Sequence, residues 1–323
     1  MLRILFTSLL LVTFYDLSGW GFFAHKMINR HAVFSLPPEM VGFFKKHIHY
    51  LTENAINPDR RRYAVKDEAP RHYIDIDHYG DSALYKMPRR WDQAREKYSE
   101  DTLKAYGIVP WHISLMKFRL TLAFEEKDLE AILRLAADLG HYVGDANVPL
   151  HTTENYNGQL TGQHGIHGFW ESRLPELFLP EYDLLVGVSE YVESPQKLAW
   201  HAVSTAHQAV DSVLDFEREI SEKFEEDKKF SFEERGSTFV RVYSQDYSKL
   251  YHRKLNGMVE RQLKASIKMV ADLWYTAWVD AGQPNLDDIS ENLNEAELDS
   301  LEKEKAKWLI RRFRSRNHES GGN

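Results

Sequence analysis

Fifteen histidines and no cysteine stand in this chain of 323 residues. Two of the histidines bound its densest chemical pattern, HYVGDANVPLH, from His141 to His151. His141 and Asp145 are four apart at the end of a helical pattern, so both side chains leave one face of a helix a turn apart. His151 follows a proline-containing turn, and further on HGFWE repeats the four-residue step with His167 and Glu171. Two such pairs, with a third imidazole between them, offer nitrogen and oxygen donors to a shared cation and suit zinc. His164 is an alternative to His167, which is preferred because only it has a carboxylate four residues later. The lack of cysteine removes disulfides, thiol nucleophiles and thiolate-held zinc together.

Weaker signals lie upstream: Trp20 and His25 in WGFFAH, Asp59 in INPD, and His72 in PRHYID. Taken singly, each histidine is more simply a hydrogen-bonded core residue than a ligand. A further four-residue pair, His207 and Asp211 in HQAVD, reads as an ordinary helix-surface pair. Arg60, Arg61 and Arg62 directly follow Asp59 and suit either a phosphate contact or a solvated turn. Tyr156, Phe169 and Trp170 are candidates for stacking bases, lining a lipid headgroup pocket or packing in the core. Asp77 and His78 are candidate supporting partners beside His72.

In order, a tryptophan near a new amino terminus, a histidine, an aspartate, a histidine, H-x-x-x-D-x-x-x-x-x-H and H-x-x-x-E fix nine residue identities between Trp20 and Glu171. This order resembles the superfamily that joins zinc-dependent phospholipases C to the S-one/P-one type single-strand nucleases, and GDANVPLH is similar to its GD-x-x-x-P-x-H core. The resemblance implies a helical enzyme with three zinc ions in a cleft. Asp59, His72, His141 and Asp145 would hold the first ion, and His151, His167 and Glu171 the second. His25, the bridging Asp145, and the free amino group and carbonyl of Trp20 would hold the third. The chemistry expected of such a site is attack on phosphorus by a hydroxide held between the first and third ions, with Asp59 as its orienting or accepting base and the second ion at the leaving oxygen. The spacing mixes both branches: the gap from Trp20 to His25 is nuclease-like, whereas Glu171 and the short gap before His167 are closer to the phospholipases. The expected activity is therefore a zinc-dependent phosphodiester hydrolase, leaning to single-stranded DNA or RNA, with phospholipase C acting on phospholipids as a near equal. A non-catalytic, zinc-stabilised binder of phosphate groups or lipid is the rival from another class. No obligate protein partner is evident.

Helices must position these groups. Apolar residues recur at three- and four-residue steps through Leu129, Ile132, Leu133, Ala136 and Leu139. The same period runs from Tyr247 to Trp278, which predicts one long helix. A helix starting near Pro110 and another over residues 200–216 complete the pattern, residues 154–168 read as a glycine-bearing loop, and residues 72–78 as a short extended piece. The expected class is all-α, a mainly antiparallel multi-helix bundle with a metal cleft. At 43% hydrophobic and 28% charged the composition supports a packed core, and a net charge of -8 removes the basic field that non-specific duplex binding needs. Residues 1–19, one Arg followed by an apolar run too short to span a bilayer, read as a signal peptide. The alternatives are an uncut membrane anchor or a cut a few residues away. Residues 20–283 would form the phosphodiesterase domain, residues 284–323 a charged tail with a basic cluster at Arg311, Arg312, Arg314 and Arg316, and the protein would be exported to a periplasm or the exterior.

Overall fold

The structure is a computed structural model that describes residues 21–291 apart from Tyr63, Gly236 and Ser237. The expected signal peptide, Trp20 and the basic cluster of the tail lie outside the described residues.

Among the described residues the architecture is an all-α multi-helix assembly with one two-stranded sheet. At its centre runs the Leu129–Ala146 helix, opened by Asp128, whose side chain accepts the Ala131 amide at 3.0 Å. Its apolar residues face neighbours on all sides: the antiparallel Val109–Glu125 helix, the Gly21–Ala32 and Ile48–Asn54 helices, and the long Met258–Asp280 helix. Ile132, Leu133, Ala136, Leu139 and Val143 are all at most 1% exposed. Such burial is the main apolar driving force available, and each fully buried large side chain contributes about 1.5–3 kcal/mol. Trp274 is wholly buried against this helix, and its indole nitrogen donates to the Ala136 carbonyl at 3.1 Å.

Two predicted continuous helices are broken. The stretch from Tyr247 to Trp278 divides into Gln245–Lys254 and Met258–Asp280, because Asn256 and Gly257 both take positive φ, at 49° and 73°. The stretch from 200 to 216 is shared between Pro195–Gln208 and Val210–Ser221. An antiparallel hairpin, Phe230–Arg235 with Thr238–Tyr243, was not foreseen. It is anchored at its base, where Phe230 pairs with Tyr243 and Tyr243 stacks on Phe169, a packing that depends on a partner far along the chain. No described helix is long and apolar enough to cross a membrane.

Candidate metal centre

The central helix brings three buried polar groups to one side, Asp138, His141 and Asp145. Burying them is costly unless each finds a partner. The Gly21–Ala32 helix lies unusually close to this side because Gly140 and Gly144 carry no side chain. A Cβ on Gly140 would fall 1.8 Å from Asn29 Oδ1, and one on Gly144 would fall 2.7 Å from His25 Nδ1. Asn29 Nδ2 uses the proximity to donate to the Ala137 carbonyl at 3.0 Å and the Leu51 carbonyl at 3.2 Å. The same proximity stacks the His25 ring on His141 with centroids 4.0 Å apart.

Asp145 sits at the middle, 1% exposed. One carboxylate oxygen lies 2.9 Å from His72 Nδ1 and 3.2 Å from His141 Nε2, and the other 3.3 Å from His25 Nε2 and 3.7 Å from His151 Nδ1. Asp59 approaches from the short Asn57–Arg61 helix, with Oδ1 3.7 Å from both His72 Nδ1 and His141 Nε2. Glu171 Oε2 lies 3.2 Å from His151 Nε2 and 3.0 Å from His167 Nε2. Three groups of donor atoms result: His25 with His141 and Asp145, Asp59 with His72 and His141, and His151 with His167 and Glu171, each with atoms within 4.8 Å of one another. All eight described candidates thus converge, and Trp20, the ninth, precedes the first described residue.

His72 reaches the site from an extended segment that hydrogen-bonds alongside His151: Ile74 N donates to the His151 carbonyl at 2.9 Å and Ile76 N to the Thr152 carbonyl at 3.0 Å. The expected extended piece over residues 72–78 shrinks to residues 73–75, because His72 and Ile76 both take helical backbone angles and a 3-10 turn follows at Asp77–Tyr79. Asp77 fixes the chain after His151 by accepting from the Thr153 hydroxyl at 2.6 Å and the Glu154 amide at 3.0 Å. His167 and Glu171 do not stand on a regular α-helix. A short helical turn, Ile166–Gly168, passes into a wider π-type turn at Phe169–Arg173, a distortion frequent at functional sites.

Charge is strongly coupled here. Burial opposes a charged His141 ring, but Asp145 and Asp59 outweigh it and lift its pKa to about 9. Burial likewise opposes a charged His151, which Asp145 and Glu171 raise to about 9. Burial alone would raise the carboxyls of Asp145 and Glu171, yet the imidazoles around them hold both well below the usual range. His72 goes the other way, its pKa lowered chiefly by burial.

Several expectations change. Arg61 is not free for substrate: its guanidinium donates to Asp138 at 2.8 and 3.2 Å and to the Tyr142 hydroxyl at 3.3 Å. Phe169 and Trp170 are core residues, 1% and 3% exposed, leaving Tyr156, at 43%, as the one exposed aromatic of the three. His207 and Asp211 are no surface pair, because a helix break at Ala209 separates them and His207 Nδ1 donates to the Thr152 carbonyl at 3.0 Å. Sequence reading missed Gly140 and Gly144, although they bracket His141 in G-H-Y-V-G-D, and it missed Glu68. Glu68 is 1% exposed, accepts the Tyr142 hydroxyl, and stands four residues before His72, the same spacing that marked the other pairs.

The donor set is nitrogen and oxygen only, mostly buried, and made of groups that in the absence of a cation must share protons at about 3 Å. Buried His25 Nδ1 and His72 Nε2 lack hydrogen-bond partners. Borderline divalent cations such as zinc suit this set, which has imidazoles enough for selectivity and carboxylates enough for charge balance. Beside His25 and Glu171 a narrow cleft of about 30 Å³ is lined by Ile28, Trp170, Val259 and Leu263.

No family model and no curated protein matches this chain. Among solved structures it is similar to the alpha-toxin of an avian strain of Clostridium perfringens, at 15% identity and a TM-score of 0.46, over 87% of this chain and 67% of the other. It is similar also to the alpha toxin of Clostridium absonum, at 13% identity and a TM-score of 0.46, over 87% and 68%.

Proposed function

We propose that the protein is a zinc-dependent phosphodiester hydrolase. The observation that carries this reading is the convergence of His25, Asp59, His72, His141, Asp145, His151, His167 and Glu171 into three adjoining donor groups joined through His141 and Asp145. Asp59, His72, His141 and Asp145 would hold one ion, and His151, His167 and Glu171 another. His25 and Asp145, with the amino end of Trp20 once a leader is removed, would hold a third. Bound zinc supplies Lewis acidity, charge neutralisation for a phosphodiester, and a water acidified to near neutral pH.

The protein's own contribution is placement and proton handling. Asp145, wholly enclosed by imidazoles, fixes the spacing of the groups. Asp59 is the more open of the two aspartates at 23% side-chain exposure, so its Oδ1 is the atom suited to orient an attacking water and accept its proton. Arg62 Nη1 lies 3.9 Å from that oxygen. The cleft beside Glu171 presents apolar or aromatic walls from Trp170, Val259 and Leu263.

A phospholipid substrate draws support from exposed apolar side chains on two segments next to the second donor group. Leu160, 72% exposed, lies on the loop that leads to His167. Phe232 and Phe239, 70% and 72% exposed, lie on the hairpin whose Tyr243 hydroxyl meets the His164 carbonyl at 3.5 Å. A nucleic-acid substrate keeps Tyr156, whose ring is 6.2 Å from that of His167, as a stacking platform. The decisive test begins with bis(p-nitrophenyl) phosphate: hydrolysis is expected, abolished by chelator and restored by zinc. Full zinc occupancy without turnover of any phosphodiester would leave the binding protein as the correct reading. Parallel assays on single-stranded DNA, RNA and phosphatidylcholine vesicles then assign the substrate.

A further inference from the structure

The imidazoles of the cluster follow a pattern. His141 turns Nε2 inward and gives Nδ1 to the Ala55 carbonyl at 2.8 Å, and His151 turns Nε2 to Glu171 and gives Nδ1 to the His72 carbonyl at 2.7 Å. An outward hydrogen bond of this kind fixes which nitrogen keeps the proton and which offers a lone pair. His72 is reversed. Its Nδ1 faces inward, 2.9 Å from Asp145 and 3.0 Å from His141 Nε2, while Nε2 points away, buried and without a hydrogen bond. For Nδ1 to offer a lone pair, the proton must sit on Nε2, and a buried N–H without an acceptor is costly.

One carboxylate faces that nitrogen. Glu68 Oε1 lies 3.8 Å from His72 Nε2, roughly half an ångström beyond a hydrogen bond. Glu68 is held on its other sides: Arg71 Nη1 donates to Oε2 at 2.7 Å, Arg61 Nη2 to Oε1 at 3.4 Å, and the Tyr142 hydroxyl to Oε1. Arg61 is itself clamped by Asp138, and Asp138 and Tyr142 belong to the helix that carries His141 and Asp145. The network therefore locks a buried anion directly behind one imidazole of the cluster, from the same helix that supplies the cluster's centre.

We propose that Glu68 is a positioning residue for His72, accepting its Nε2–H so that the Nδ1 lone pair faces the cation site. This rests on the metal-binding reading above. Glu68 touches neither substrate nor ion and acts only through the imidazole.

The experiment uses the full-length processed protein and zinc alone. Nitrogen-15 NMR of zinc-loaded wild type should show His72 protonated at Nε2, and Glu68→Gln, an isosteric change whose amide can also donate to Nε2, should weaken zinc binding at least tenfold in chelator competition while circular dichroism keeps the helical signal. The proposal is overturned if zinc-loaded wild type carries the His72 proton on Nδ1, or if the folded variant binds zinc within twofold of wild type with the His72 resonances unmoved. Should the variant not fold, the wild-type Nε2–H itself decides the matter: a downfield, exchange-protected proton marks acceptance by the Glu68 carboxylate, and a proton without that signature overturns the proposal. Wild type that takes up no zinc overturns the metal reading and this inference together, whereas normal wild-type zinc binding with an indifferent Glu68→Gln overturns this inference alone.

Discussion

Zinc uptake should release protons, and the pH dependence can be worked from the site. In the metal-free protein His141 and His151 titrate near 9, raised against burial by Asp145 together with Asp59 and Glu171 respectively. A histidine whose folded pKa exceeds its unfolded value stabilises the fold fully below about 6.5, and that stability fades as pH rises through about 9. Zinc needs both rings deprotonated, so at pH 7 it must displace about two protons from them. Each ring then costs roughly a hundredfold in apparent affinity at pH 7, and between pH 7 and 9 zinc affinity should climb by up to about a hundredfold per pH unit. The midpoint of thermal unfolding should drift down over the same interval for metal-free protein and rise for zinc-loaded protein. Titration calorimetry in two buffers of different ionisation enthalpy counts the protons directly. Asp145→Asn is the control: with the shared carboxylate gone, both rings lose their principal anion, zinc binds more weakly, fewer protons are released per zinc bound at pH 7, and hydrolysis is lost. An affinity that is flat from pH 7 to 9, or release of much less than one proton at pH 7, would refute the reasoning.

Three further outcomes follow from the packing. Gly144→Ala drives a methyl group into the His25 ring, 2.7 Å from Nδ1, and should lower zinc stoichiometry measured by atomic emission as well as stability by about 1–3 kcal/mol in urea; unchanged zinc content would show that His25 is not needed for metal. Arg61→Ala strands Asp138 and weakens the hold on Glu68, which should cost about 3–5 kcal/mol in chemical denaturation; a loss under 1 kcal/mol would mean that the buried pair contributes little. His112 is buried against the Tyr142 ring, and burial, aided by Arg71, depresses its pKa to about 2. Because the unfolded chain takes up this proton near 6.5 and the folded one does not, stability falls as pH drops below 6.5, by at most about 1.4 kcal/mol per unit. His112→Leu should flatten that acid limb, and an unchanged slope of urea stability between pH 6 and 4 would count against it.

Much of the candidate site was legible because its donor groups come in local pairs. A four-residue step on a helix brings His141 beside Asp145 whatever the rest of the chain does, and His167 meets Glu171 at the same step even though the turn between them is wider than an α-helix. Apolar periodicity likewise marks the central helix, since one buried stripe is enough to write the pattern. The break at Asn256 and Gly257 escaped notice because the apolar period continues across it, while only the backbone angles show where the helix ends. The hairpin escaped because its strands alternate weakly and gain their packing from Phe169, some sixty residues earlier.

The amino-acid order by itself determined the chemistry on offer: imidazoles and carboxylates without thiols, and the short-range pairs among them. Tertiary structure decided which groups meet. His72 reaches Asp145 across 73 positions through backbone pairing beside His151, and His25 reaches it only because two glycines let one helix lie against another. It also withdrew Arg61 into a buried ion pair and Phe169 into the core, and set Glu68 behind His72. The physical reason is common to all of these. Local spacing fixes the direction of a side chain relative to its own helix, but burial, electrostatic partners and hydrogen-bond acceptors come from segments distant in sequence, and those are set only when the core closes.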